Sequence, residues 1–299
     1  SRQPALMTVA TGNEYYRKVV AGTFHLYLFD GQSVDIYETG FSAAPRFVTA
    51  ISVPGTVDIA ASETGLFTLS SAGVIGMWSP AGSLLRSGRL EEGQDVAPRA
   101  IFAVRGAPRV TISKGCLTAI CEKQTLVYDP GTLVRTVVLS GGAIDLTSSG
   151  ASAFVLFDLP AEVRIYDTSD PLHPSPRATR ASEGSPVAIA QHAGLVYVLG
   201  TRLFTYEGAT LSKMGEQLEQ EQPTLATRLA IVEDCAVLSR GSGTQRYAAA
   251  PGTWPATASI ATTGNVRSIA TGDGRFYILT DYSLDIIGSG TAPRPARRR

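Results

Sequence analysis

The chain has 299 residues, 44% of them hydrophobic and only 17% charged, with 26 basic side chains balanced by 26 acidic ones. That apolar content excludes global disorder, and a net charge of zero offers nucleic acid or an anionic membrane no long-range attraction. No apolar run approaches the ~18 residues of a membrane-spanning helix, no signal-peptide pattern opens the chain, and it begins at Ser1 rather than Met, as an excised or mature piece would.

The first predicted element is an isolated strand, ALMTVAT at 5–11. Seven strand–turn–strand segments follow in chain order: GTFHLYLFDGQSVDIYE, GLFTLSSAGVIGMWS, GCLTAICEKQTLVYD, ASAFVLFDLPAEVRIYD, GLVYVLGTRLFTYEG, DCAVLSRGSGTQRYA and GRFYILTDYSLDIIG. Each closes on a large residue: Tyr37, Trp78, Tyr128, Tyr166, Tyr206, Tyr247 and Ile287, at intervals of 41, 50, 38, 40, 41 and 40. From the second segment on, a strand ending in a turn precedes each one, VDIAAS at 57, RVTISK at 109, IDLTSS at 144, VAIAQH at 187, RLAIVE at 228 and RSIATG at 267. A further strand follows each closing aromatic (RFVTAIS, LLRSGRL, VRTVVLS, RATRAS, LSKMGEQ, ATASIAT), and none follows Ile287.

Four short strands in about forty residues is one propeller blade. The predicted fold is therefore all-β: a seven-bladed β-propeller of four-stranded blades, in which the N-terminal strand supplies the missing strand of the last blade and removes an open edge. One domain is expected over residues 1–290, with 291–299 a basic, disordered tail. Helical periodicity is nearly absent; only SKMGEQLEQEQPTLATR could hold a helical turn. The 50-residue interval predicts an insertion at 91–108, EEGQDVAPRAIFAVRGAP, and longer connections are expected at 173–186 and 212–224. Loops longer than their repeat requires are where recognition is expected.

The stretch VRIYDTSDPLHPSPRAT, 163–179, shows the period at work. Val163–Tyr166 reads as a third strand and Asp167–Pro171 as the turn into the fourth, because Asp and Ser cap their own backbone in turns and Pro presets φ. The same residues, with SPVAIAQHAGLVYVLGTRLFTYEG after them, resemble the LVIVD-type bacterial propeller repeat. The resemblance covers blades four and five, roughly 143–210. It implies a bacterial, often extracytoplasmic, binding propeller without a known chemistry. The Gly-His and Trp-Asp pairs of WD40 blades do not recur.

Cys116, Cys121 and Cys235 are odd in number and lie in apolar segments, so a disulfide framework is not expected and a reducing compartment suits them better. His25, His173 and His192 fall in different blades with no partner at metal-ligand spacing. The sequence holds no GxxxxGK[ST] motif, no strand–GxGxxG–helix unit and no nucleophile elbow. No cofactor and no metal is predicted.

One constellation crosses the blades. The strands read as innermost place Asp58, Arg109, Asp145, Ala188, Arg228 and Ser268 at equivalent positions, with Arg17 or Lys18 in the first blade and Arg267 beside Ser268. Charges of alternating sign there predict inter-blade ion pairs that set blade register. Asp58, Arg109, Asp145, Arg228 and Arg267 are also the candidate binding residues, for a small polar ligand or an incoming loop. On the surface, Glu216, Glu219 and Glu221 mark one connection and RPARRR at 294–299 the tail. The function expected is a non-catalytic platform for a protein partner, or a ligand-binding module, within a larger protein or complex. The rival is a propeller hydrolase or lyase with an acidic metal site at the channel mouth, where Asp58 and Asp145 are the first carboxylates to test.

Overall fold

The computed structural model describes residues 6–10, 16–40, 44–90, 96–114, 122–217, 228–240, 243–248, 256–262 and 264–288. It is all-β: seven four-stranded antiparallel sheets, each a meander, arranged as a seven-bladed propeller. The innermost strands are Lys18–Ala21, Thr56–Ser62, Val96–Val104, Ala143–Ser149, Ala188–His192, Arg228–Val232 and Val266–Gly272, for blades 1 to 7. Leu6–Ala10 pairs antiparallel with Ser283–Gly288 and becomes the outer strand of blade 7. The ring closes as the N-terminal strand predicted.

The core is seven apolar clusters, each at a seam between neighbouring blades, and the strands explain them. Successive side chains of a strand point to opposite faces. In HLYLF of blade 1, Leu26 and Leu28 therefore enter the seam with blade 7, and Tyr27 and Phe29 the seam with blade 2. A strand covered on both faces reads as a continuous apolar run, which is why second strands such as SAFVLFD and LVYVL show no alternation.

The periodic closing residue has a structural cause. In the six blades where it is aromatic, the pairing of third and fourth strands shifts by one residue at that position, from Tyr37 through Tyr247. The extra residue on the fourth strand is Val48, Leu85, Thr136, Arg177, Met214 or Thr257. A bulge bends the outer edge and blunts its capacity to pair with another chain.

Blade 3 corrects the sequence reading. RVTISK is not its innermost strand: Ala107–Lys114 is the second strand, and Val96–Val104, inside the expected insertion, is the innermost. The extra length of this blade falls instead in residues 115–121, between second and third strands, and these lie outside the described residues, with Cys116 and Cys121. The expected connection at 173–186 contains the fourth strand Ser175–Ala181, and 212–224 begins with the fourth strand Lys213–Gln217. Glu219, Glu221 and the 291–299 tail lie outside the described residues. Cys235 is buried, as its apolar strand predicted.

Asp167–Pro171 is a corner. Asp167 Oδ1 accepts hydrogen bonds from the Ser169 amide (2.8 Å) and hydroxyl (2.7 Å), which hold its carboxyl below the usual range. Asp170 does the same with the Leu172 amide at 2.9 Å and faces His173 Nδ1 at 2.8 Å.

Candidate functional site

The seven innermost strands enclose a central channel of about 370 Å³. Pairing with the second strands fixes which residues are equivalent around it. The position one step before the buried Val19, Ile59, Ile101 and Ile189 is held by Lys18, Asp58, Ala100, Asp145, Ala188, Arg228 and Ser268 in blades 1 to 7. Five of these seven positions, Asp58, Asp145, Ala188, Arg228 and Ser268, were assigned from the sequence, which left blade 1 open between Arg17 and Lys18. The blade 3 member is Ala100 rather than Arg109.

Five of the seven side chains reach across a seam, all in the same rotational sense. Lys18 Nζ donates to Asp58 Oδ1 at 2.6 Å and to the Ile59 carbonyl at 2.9 Å. Asp58 Oδ2 accepts from the Ile101 amide at 2.9 Å, and Asp145 Oδ2 from the Ile189 amide at 2.8 Å. Arg228 Nε and Nη2 point at the Arg267 carbonyl at 3.4 Å, and Ser268 Oγ donates to the Val19 carbonyl at 3.3 Å. The expected ring of ion pairs is thus mostly a ring of side-chain-to-backbone bridges; Lys18–Asp58 is its one ion pair among the described residues. Bonds to the next strand's backbone set register more directly than pairs between long side chains, because the backbone group has no rotamer freedom.

Asp145 stands out electrostatically. It opens partly to the channel, yet the blades crowd it so closely that its charge is poorly solvated, and burial raises its pKa to about 6 against the pull of two amide donors and the Lys18 and Arg228 charges. Its Oδ1 accepts from its neighbour, the Leu146 amide, at 2.9 Å. All four carboxylate oxygens of Asp58 and Asp145 therefore already accept a hydrogen bond. No three His, Cys, Asp or Glu side chains among the described residues come together as a cation would require.

Arg109 occupies a different site. On the second strand, the residue facing the next seam is Tyr27, Phe67, Phe154, Tyr197 or Tyr277 in five blades and Val237 in blade 6, opposite a small inner-strand residue. In blade 3 the pair is exchanged: Phe102 stands on the inner strand and Arg109 on the second. Arg109 is 1% exposed, and burial lowers its pKa to about 10. Its Nη2 donates to the Pro171 carbonyl of blade 4 at 3.3 Å. Arg105 Nη1 donates to the Thr168 carbonyl and Thr136 Oγ1 to the Leu172 carbonyl, each at 2.7 Å. Three side chains of blade 3 thus clamp the corner of blade 4 on the face away from the channel mouth.

Just outside the bridge ring, a second ring of equivalent positions was not seen in the sequence. It reads Arg17, Val57, Arg99, Ile144 and Val187 through blades 1 to 5, and Arg267 in blade 7. In blades 2, 3, 4 and 7 this residue is the extra one of an inner-strand bulge, which turns it out of the ladder. Arg17, Arg99 and Arg267 are exposed, Val57 is 41% exposed and Val187 43%. The Arg17 guanidinium lies over the turn of Gly31, where a Cβ would stand 2.8 Å from its Cζ. Leu159 and Tyr282, at the tips of the second-to-third-strand turns of blades 4 and 7, are 66% and 67% exposed on the same face. The described turns of the opposite face carry Glu63, Asp129, Asp170, Glu233, Asp234 and Asp273, with Arg105 their one Arg or Lys. Those of the mouth face carry Asp30, Glu183 and Asp281 beside Arg17 and Arg202, so acidic turns occur on both faces.

Comparison with known proteins shows the fold. No family model and no curated protein matches the chain. Among solved structures, it is similar to a chain of the "Crystal Structure of Mitotic Checkpoint Complex", with TM-score 0.70 and 12% identity over 96% of this chain and 91% of that one. It is also similar to the computationally designed Ika8 protein, with TM-score 0.62 and 11% identity over 93% of this chain and 98% of that one.

Proposed function

We propose that the protein is an interaction platform that binds a protein partner on the channel-mouth face, as a non-catalytic propeller within a larger protein or complex. The observation that carries this reading is the exposed apolar set Val57, Leu159, Val187 and Tyr282, gathered on one face of a braced ring beside Arg17, Arg99 and Arg267. Arginine and aromatic or aliphatic anchors on a rigid support are the composition of interface hot spots. The bridges across the seams supply the rigidity, and they also occupy the carboxylates that an acidic metal site would need. The neighbour from a protein complex adds support at the level of the fold.

The test is co-purification with the tagged chain, quantified for the double variant Leu159→Ser/Tyr282→Ser and for Phe24→Ser on the opposite face. Partners should be lost from the mouth variant and kept by Phe24→Ser, with melting temperatures unchanged. Equal retention by both variants would overturn the reading.

A further inference from the structure

We infer that the channel mouth receives an acidic polypeptide segment that also bears an apolar side chain, its carboxylates met by Arg17, Arg99 and Arg228. The inference rests on the mouth being the interaction face and names the chemistry of the partner.

The rim alternates in kind. Arg17, Val57, Arg99, then Ile144 and Val187, and finally Arg267 run around the opening, with Arg228 one position deeper in blade 6. Arg17, Arg99 and Arg228 are exposed and have no carboxylate partner among the described residues; Arg99 donates only to Ser113 Oγ, at 3.1 Å, and Arg228 only to a carbonyl. Other cations nearby are already compensated, Arg267 by Asp281 at 2.7 Å, Lys123 by Asp158, Arg164 by Glu162 and Arg202 by Glu216. Cations left exposed and uncompensated around a concave mouth attract an anionic group, and guanidinium binds carboxylate in a bidentate fork.

The arrangement favours a chain over a small anion. The uncompensated arginines stand in blades 1, 3 and 6, so they surround the mouth rather than converge on one point, and a segment lying across it reaches several of them. Between them Val57 and Val187 offer apolar contact, which a phosphate cannot use. A single-stranded nucleic acid fits less well. Aromatic stacking platforms are its usual anchors, whereas the rim side chains are aliphatic and Tyr282 stands apart at a turn tip.

The experiment is fluorescence anisotropy of the full chain with a fluorescein-labelled peptide of Glu-Glu-Leu repeats. A Lys-Lys-Leu peptide of equal length, an oligouridylate and inorganic phosphate serve as the other probes. The connection preceding Arg228 carries Glu219 and Glu221 in the sequence, so Glu219→Gln/Glu221→Gln is measured beside the unaltered chain. The acidic peptide should bind, more weakly as salt rises. Arg17→Ala and Arg99→Ala should each weaken it by about tenfold, the scale of one charge-assisted contact. Arg86→Ala on the outer rim should leave it unchanged. The inference falls if neither the unaltered chain nor the Gln variant binds the acidic peptide, or if the arginine substitutions leave affinity intact. It falls equally if the oligouridylate binds more tightly than the peptide, or if phosphate at equal concentration displaces the peptide. Should partners leave the Leu159→Ser/Tyr282→Ser variant but stay on Arg17→Ala and Arg99→Ala, the platform stands and the acidic partner does not.

Discussion

Blades 4 and 5 and blades 3 and 4 meet by different means. At the 4–5 seam an inner carboxylate, Asp145, bonds the next strand's backbone at the mouth, and the second strand contributes an aromatic, Phe154, to the apolar cluster. At the 3–4 seam the inner position is Ala100 and the aromatic's place is taken by Arg109. Polar fastening is found at both ends of this seam: at the mouth end Thr111 Oγ1 donates to the Ala143 carbonyl at 3.1 Å, the Ala143 amide donates to Thr125 Oγ1 at 3.0 Å and Lys123 pairs with Asp158, while on the far face Arg105, Arg109 and Thr136 hold the corner at 168–172. At the 5–6 seam the inner residue is again an alanine, Ala188, and a cross-seam polar contact, His192 Nε2 to Asp234 Oδ1 at 3.2 Å, lies on the far face.

The largest expected effect comes from breaking the exceptional seam. Arg109→Ala removes a buried side chain, leaves a cavity and strands the Pro171 carbonyl, and should destabilise the protein by about 3 kcal/mol in denaturant unfolding. Restoring the usual pair with Phe102→Ala/Arg109→Phe should recover part of that loss: the pair has the same total volume as in Arg109→Ala, but an aromatic ring again fills the buried seam position and no charge has to be desolvated there. A double variant as unstable as Arg109→Ala would show that the clamp on Pro171, not the packing, holds this seam.

The ordinary seam should show itself in pH dependence. Asp145 titrates near 6 in the folded protein, against a reference value of 3.8. An acid whose folded pKa is raised holds its proton longer folded than unfolded, so its favourable contribution is fully present below pH ~4. It is lost as pH rises toward 6, by up to about 3 kcal/mol. Asp145→Asn cannot ionise and keeps one acceptor for the Ile189 amide. Its stability relative to the unaltered protein should therefore rise between pH 4 and 6 and stay level above, measured by chemical unfolding across that range. A pH-independent difference would mean that the carboxyl is better solvated than its crowding implies.

The smallest effect sharpens the contrast between the two alanines. Ala188→Asp places a carboxylate where Asp58 and Asp145 stand in their blades, facing the Leu229 amide and Arg228, and should add about 0.5–1 kcal/mol. Ala100→Asp should add nothing, because the Leu146 amide it would reach is already bonded to Asp145, whose charge repels the newcomer. Paired thermal melts decide between them.

Much of this architecture was readable from the chain. A closing aromatic every forty residues marks the bulge between third and fourth strands, and that local geometry recurs whatever the neighbours do. Five of the seven inner-ring positions followed from the same period, and blade 1 was narrowed to Arg17 or Lys18. Blade 3 was misread because RVTISK and RAIFAV are equally apolar and strand-like, and strand pattern does not say which strand pairs with which. The long interval was placed before the blade's second strand instead of after it. Arg109 was then moved to the channel by that one-strand error, and nothing in its flanking residues distinguishes a buried seam position from a channel wall.

The sequence by itself determined the number of blades, the four-stranded plan, the closure by residues 5–11 and the corner at 167–171, because each depends on chemistry within a few neighbouring residues or on a period counted along the chain. Only the tertiary structure decided the exchange of Phe102 and Arg109, the clamp of blade 3 on blade 4 and the rim of Arg and aliphatic side chains around the mouth. Those features depend on which strands lie side by side once the ring has closed, and no pattern counted along the chain reveals that.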